Sequence, residues 1–196
     1  MNELDGTRLA KPGAGIPALE RWVAGVGIKA LARYASRDAI TRRFTQDAQR
    51  AVELAREVPE EMGRRRVLIP RIAGMEDSSR DWSMYMTLEH LVIVSAGVSG
   101  LIRRLCAGRE IPEAVRIQDV KPDAGAGPEQ ADALEDMVLR YGEEVAAHPD
   151  LRSAKRHPHP WFGPLNALQW HALAAVHNRI HRAQIEHILR RLRARG

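Results

Sequence analysis

The stretch from about residue 82 to residue 107 is apolar almost all the way round a helix, and it constrains the fold more than any other feature. Its apolar residues occur on every face of that helix: Met86, Leu88, Leu91, Val92, Ile93, Val94, Val98, Leu101 and Leu105. Such a helix is stable in water only when other elements surround it, so it belongs in the middle of a bundle. Gly108 follows as the expected helix stop. No stretch has the ~18 apolar residues that a membrane span needs, so no span is predicted.

Helical spacing of apolar residues dominates the rest of the chain as well, and strand signals are weak. It predicts helices over residues 17–34, 38–62 and 128–147, and a last helix that begins after Asn166 and runs to the C-terminus. Gly63 is the expected stop of the second of these. Asn166, with Gln169 three residues later, predicts a capping box. The apolar stripe of the first helix is expected to pack against the domain or a second subunit; its members are Ile16, Leu19, Val23, Val26, Ala30 and Tyr34.

These elements predict an all-α protein in which four long helices form a bundle. Residues 1–36 would be an N-terminal extension with one helix, and residues 37–196 the four-helix bundle. The connection over residues 109–127 is too long for a tight helical hairpin. Residues 63–81 are expected to form a long loop without regular structure, of the kind that closes over a binding site.

Composition and charge narrow the class of protein. The chain has 196 residues, of which 44% are hydrophobic, and this suits one domain with a substantial core. The 30 basic and 25 acidic residues leave a small positive charge, and its clusters lie at Arg64–Arg66 and near the C-terminus. Only 5% of residues are aromatic, so few side chains could stack on bases, and no nucleic-acid partner is expected. Residues 1–11 lack the apolar core of a signal peptide, which predicts a cytoplasmic protein.

Three of the eight histidines are candidates for a metal site, two by their spacing and one by its place in the most apolar helix. His177 and His181 are four residues apart, so they project from one face of the last helix, which also carries Trp170 and Gln184. His90 lies in the most apolar helix. Neutral imidazoles bind Zn²⁺, Ni²⁺, Cu²⁺ or iron. The spacing alone is weak, since surface helices carry it by chance, and no cysteine or carboxylate stands out as a fourth ligand.

Several segments together resemble the DinB-like metalloprotein superfamily over about residues 38–190. They are Trp82-Ser83, Thr87-Leu88-Glu89-His90-Leu91, His159-Pro160-Trp161-Phe162-Gly163-Pro164-Leu165, and Trp170 followed by His177 and His181. The His-Pro-x-Phe-Gly loop is similar to a largely uncharacterised branch of that superfamily. Members are four-helix bundles with a long connection between the second and third helices.

The resemblance implies a divalent metal, with Zn²⁺ or Ni²⁺ expected first, held by His90, His177 and His181. Characterised relatives include transferases and isomerases that use low-molecular-weight thiols, so the expected partner is a small molecule, with such a thiol as one candidate. Trp161, Phe162, Trp170 and Gln184 are candidate pocket residues, and no catalytic residue is assigned. The alternative is a non-catalytic metal-binding or ligand-binding bundle. The extra N-terminal helix is compatible with a homodimer.

Overall fold

The computed structural model describes residues 8–194, and the fold over these residues is α-helical, as predicted. Residues 1–7 lie outside this range. The prediction that residues 1–11 are not a signal peptide therefore falls partly outside the described residues. The helices are α1 (Ala18–Tyr34), α2 (Arg37–Arg56), α3 (Glu60–Arg64), α4 (Met84–Cys106), α5 (Glu129–Ala146) and α6 (Ala167–Arg193). Two short antiparallel pairs complete it, β1 (Val67–Leu68) with β2 (Asp81–Trp82) and β3 (His157–His159) with β4 (Gly163–Leu165).

Four of the helices form the predicted bundle. Helices α2 and α4 each pack against both α5 and α6, and α1 lies outside the bundle against α6. The largest fully buried side chains include Phe44, Leu88, Tyr141 and Trp170, one from each bundle helix. The long connection between the second and third bundle helices is confirmed, because residues 107–128 link α4 to α5.

Local signals in the sequence fix several helix ends. Ser83 accepts a hydrogen bond from the Met86 N–H and so caps α4. The predicted capping box at Asn166 and Gln169 is present with both of its bonds. Gly108 has a φ of 69° and ends α4 in a Schellman motif, in which its N–H bonds to the Leu105 carbonyl.

The prediction of one continuous helix over residues 38–62 is wrong. α2 ends at Arg56, and a separate short helix, α3, follows Pro59. Proline restricts the residue before it to extended backbone, which interrupts the helix there. Gly63 lies inside α3 rather than after a helix, and its role is steric, since a Cβ atom there would lie 2.6 Å from the Tyr85 ring.

Most of the apolar stripe predicted on the first helix does not pack against the rest of the domain, and its packing against a second subunit stays a prediction. Leu19, Val23, Val26 and Tyr34 of the expected stripe are each at least half exposed, whereas Ile28 and Ala32 are buried. Ile28 and Ala32 belong to the face that packs on the bundle, and a Cβ atom on Gly25 would make an ordinary van der Waals contact with Phe162 at 3.5 Å. The apolar periodicity of the sequence therefore did not identify the face of α1 that packs against α6.

Helix α4 is, within residues 8–194, the one helix long and apolar enough to cross a membrane. About half of its most apolar window is buried inside the fold. A central helix of a bundle meets the same criteria, so these properties are weak evidence for a span.

His171 of α6 links three bundle helices through a buried hydrogen-bonded chain that the sequence did not reveal. The Thr41 hydroxyl donates to the Arg37 carbonyl and accepts from His171 Nε2 at 3.0 Å. His171 Nδ1 therefore accepts from the Tyr141 hydroxyl, also at 3.0 Å. Every polar group in this chain has a partner, which fixes the imidazole as uncharged, and burial lowers the pKa of His171 to about 4.

Replacing His171 by Ala should lower the free energy of unfolding by about 2–4 kcal/mol, because it leaves a cavity and an unpaired Tyr141 hydroxyl. Urea denaturation at pH 7.5 measures this change. Arg190→Ala, at an exposed position of the same helix, is the matched control and should change it by less than about 0.5 kcal/mol. Equal stability of the two variants would contradict the structural role of His171.

Candidate metal centre

The structure brings the three predicted histidines together between α4 and α6. His90 lies in the second turn of α4, and His177 and His181 lie one turn apart on α6. One ring nitrogen from each lies within 4.8 Å of the others, and the Nε2 atoms of His90 and His177 are 3.0 Å apart. Within residues 8–194 no carboxylate or thiol joins this cluster.

The hydrogen bonds on the far sides of two rings determine their tautomers. His90 Nδ1 lies 2.6 Å from the Val120 carbonyl oxygen, which can only accept, so His90 Nδ1 carries the proton. The Gln184 amide nitrogen donates to the Ser79 carbonyl at 2.7 Å, which turns its oxygen toward His181 Nδ1 at 2.6 Å. His181 Nδ1 is therefore also protonated. Both rings present an unprotonated Nε2, the atom that a metal requires.

The surroundings keep the cluster uncharged. Burial lowers the pKa of His181 to about 4 and places the pKa values of His90 and His177 well below the usual range. Repulsion among the rings adds to this effect for His90 and His177. Imidazoles in this state retain their lone pairs at neutral pH and are competent ligands.

The cluster by itself leaves polar atoms unsatisfied, which is the test of whether a metal fits. The Nε2 lone pairs of His90 and His181 face the same space, and the Nε2 atom of His177 lies 3.0 Å from that of His90. Buried polar groups normally have partners. Without a metal, an N–H group on one ring can donate to only one of these lone pairs, whereas a shared cation would accept all of them. The donor set, three neutral nitrogens, is one that Zn²⁺ and Ni²⁺ accept.

Trp82 covers one side of the cluster. Its ring stacks on His181 with 6.0 Å between centroids and meets His90 edge to face at 5.0 Å. The ammonium of Lys121 lies 5.4 Å from the centroid of the Trp82 ring, at the distance of a cation–π contact. Trp82 therefore covers this side of the cluster, with a cation close to its ring.

A buried carboxylate, Glu76, ties together the segments around the site. It accepts hydrogen bonds from the N–H groups of Gly13 and Gly15, and from the side chains of Ser78 and Lys121 at 2.6 Å. Burial alone would raise the pKa of Glu76, but the bonds from Lys121, Ser78 and Gly15 lower it overall, so Glu76 is ionised. The N-terminal segment, the connection after α3 and the connection after α4 meet at this one side chain.

The expectation that residues 63–81 lack regular structure is therefore wrong. The segment contains β1, a 3₁₀ turn (Asp77–Ser79) and β2. Sequence patterning missed it because its order comes from partners distant in the chain, above all the Glu76–Lys121 ion pair. Local signals such as helical periodicity do not report such contacts.

A cavity of about 540 Å³ opens beside the three histidines. Trp161, Phe162 and Trp170 line it, whereas Gln184 is fully buried behind His181. Residues 74–79 and 159–162 contribute to its wall, and so do residues 111–121 of the connection after α4. The role of that connection in the site was not predicted from the sequence, although its length was.

Four helices and a buried three-histidine cluster define a class of bundle proteins built around a candidate metal site. The model of the DinB superfamily matches residues 43–185, and the chain belongs to that superfamily. One similar solved structure is the crystal structure of TT2238, a four-helix bundle protein. The two are 24% identical, the match covers 77% of this chain and 98% of TT2238, and the TM-score is 0.50, which supports the fold alone. No curated protein matches the chain.

The buried histidines should make the metal-free protein sensitive to mild acid. The pKa values of His159 and His171 fall from about 6.5 to about 4 on folding, so the unfolded chain binds more protons between those values. Stability is then complete above about pH 6.5 and is lost as the pH falls toward 4, by about 3 kcal/mol for His171. Urea denaturation of chelator-treated protein between pH 7.5 and 4.5 measures this loss. A free energy of unfolding that is constant over this range would contradict it.

Proposed function

We propose that His90, His177 and His181 bind one divalent metal, with Zn²⁺ or Ni²⁺ expected first, and that the protein acts on a small molecule at this site. The observation that carries the proposal is the convergence of three uncharged imidazoles whose outer nitrogens, in two cases, are already committed as donors. Membership of the DinB superfamily supports it. The predicted cytoplasmic location and homodimer, and the absence of a nucleic-acid partner, belong to the same proposal.

Three neutral ligands leave the charge of a divalent metal uncompensated and a coordination position open, as in catalytic zinc sites, where the pKa of a bound water or thiol is lowered. The protein's own groups have two tasks in such a site. Val120 and Gln184 hold the protons on the outer nitrogens of His90 and His181 and thereby orient both rings. Trp82 and Trp170 exclude water and keep the dielectric around the site low.

A more specific form of the proposal is transfer of a low-molecular-weight thiol to an electrophilic substrate. The family resemblance suggests the thiol, and the volume of the cavity beside the histidines, about 540 Å³, is within the range of small-ligand sites. In such a transfer the thiol gives its proton to solvent water and its sulfur forms a bond to an electrophilic carbon. The bond from that carbon to the displaced group breaks, and this group leaves with the electron pair. No catalytic residue of this chain is assigned to the proton transfer.

The alternative is a bundle in which the histidines only join α4 to α6, with or without a metal. The complete burial of Gln184 and the tight bonds behind the rings are equally suited to that role. The two candidates differ in whether a small ligand can reach the metal. Because all three histidines line the cavity, we favour an open site.

Purified wild-type protein should bind one equivalent of Zn²⁺, Ni²⁺ or Co²⁺, measured by titration with elemental analysis. His177→Ala should weaken binding by more than the 10–100-fold that loss of an outer hydrogen-bond partner causes. His187→Ala is the matched control, because this histidine lies on the same helix outside the cluster. Equal metal content in the wild type and in the triple alanine variant of His90, His177 and His181 would refute the metal site.

Replacing Gln184 by Leu should reduce metal affinity by about 10–100-fold, because His181 loses the acceptor that fixes its tautomer. Competition with a chelator measures the affinity, and circular dichroism checks that the variant is folded. Gln184→Glu keeps an acceptor toward His181 and should retain more of the affinity. If a folded Gln184→Leu variant binds metal as the wild type does, Gln184 does not orient the ligand.

The open and the closed site are distinguished by spectroscopy of the cobalt-substituted protein. Azide, imidazole or a small thiol should change the visible absorption spectrum, because each can occupy an open coordination position. A spectrum unchanged by all three would show that the site is closed and would favour the non-catalytic alternative.

A further inference from the structure

The apolar surface of α4 that the bundle leaves uncovered forms one wall of the cavity. Ile93, Val94 and Leu101 of this helix are only partly buried, and all three line the cavity. Between them lie Gly97 and Gly100, which also line it. Helix α4 is apolar on every face, but no other helix within residues 8–194 covers the face that lies beside the histidines.

The packing of the protein does not explain these two glycines. Both lie inside a regular helix, neither has a positive φ, and a Cβ atom on either would meet nothing within 4 Å. Glycine in a helix interior costs roughly 0.5–1 kcal/mol relative to alanine. Because Gly97 and Gly100 have no side chains, the space beside this part of α4 stays open and belongs to the cavity.

The opposite walls are apolar as well. The connection after α4 contributes Ile111, Val115 and Ile117, and α6 contributes Leu173, Val176 and Ile180. The charged residues of the wall are largely neutralised by partners: Arg104 pairs with Glu113, Arg116 with Asp119, and Lys121 with Glu76. Little in this part of the cavity would hold a strongly hydrophilic molecule.

Two uncharged hydrogen-bond donors of the cavity wall lie near the histidine cluster. His159 Nδ1 accepts from the Trp161 N–H at 3.1 Å, and burial lowers the pKa of His159 to about 4, so the neutral ring carries its proton on Nε2. The indole N–H of Trp170, whose ring lies 5.3 Å from that of His159, is buried with no partner among the described residues. An oxygen atom on a ligand would be a suitable hydrogen-bond acceptor for these two N–H groups.

We propose that the substrate is a small, mostly hydrophobic molecule with one oxygen-bearing polar end. The polar end lies at His159, Trp170 and the three-histidine cluster, and the apolar body lies along α4 over Gly97 and Gly100. The volume of about 540 Å³ is within the range of small-ligand sites. Two turns of a partner helix, at ~10 Å diameter, would need about 850 Å³. The inference rests on the proposed function only in placing the reacting end at the metal.

The test uses n-alkanols from butanol to decanol as probes, with binding followed by tryptophan fluorescence and calorimetry. Affinity should rise about fourfold for each added methylene until the cavity is filled, as expected for transfer of a CH₂ group from water. The series is measured on both metal-loaded and chelator-treated protein. Failure of the wild type to bind metal would refute the proposed function alone, whereas affinity independent of chain length in both forms would refute this inference.

Variants of the two glycines locate the binding site. Gly97→Leu and Gly100→Leu should weaken octanol binding by at least tenfold and leave metal content unchanged. Gly142→Leu is the matched control, because Gly142 lies in α5, also has open space beside it and is outside the cavity. Gly97→Ala and Gly100→Ala, which suit a helix better, should raise the midpoint of thermal unfolding and weaken octanol binding less.

Two outcomes would overturn the proposal. The first is equal octanol affinity in the wild type and in folded Gly97→Leu and Gly100→Leu variants. The second is a change of oligomeric state in these variants, measured by light scattering, without a change in octanol affinity. That result would identify the uncovered face of α4 as an interface between copies of this chain.

Discussion

Three imidazoles held uncharged between α4 and α6 are the constraint on which the site depends. Their burial disfavours protonation, and His90 and His181 each give one N–H to a fixed acceptor, the Val120 carbonyl or the Gln184 amide. The remaining nitrogens converge on one small space. Such a cluster is costly in an apolar interior unless something occupies that space, and so the same burial that isolates the histidines favours a cation between them.

The connections and the N-terminal segment, which lie outside the four-helix bundle, are part of the site. The connection after α4 supplies the acceptor for His90 and, through Lys121, an ion pair with Glu76. Glu76 in turn holds the backbone at Gly13 and Gly15. A four-helix bundle alone would leave the histidines open to water on the Trp82 side, and these connections close it while leaving the apolar cavity along α4.

Much of the fold could be predicted because its signals are local. Local signals such as apolar periodicity, the Asn166 cap and Gly108 depend only on residues nearby in the sequence. They predicted the long helices and several helix ends correctly. The outward-facing stripe of α1, the buried chain through His171, and the Glu76–Lys121 pair depend on contacts between distant segments. His171 adjoins Trp170 in the sequence, but nothing in its spacing distinguishes it from a surface histidine.

The candidate site divides in the same way. His90, His177 and His181 could be selected because helix geometry and the family resemblance both pointed to them, whereas the cavity wall of Gly97 and Gly100 could not. The most direct measurement is a crystal structure of zinc-loaded protein with anomalous diffraction at the zinc absorption edge. The account predicts one strong peak within bonding distance of ring nitrogens from all three histidines. A peak elsewhere, or none in protein shown to contain zinc, would contradict it.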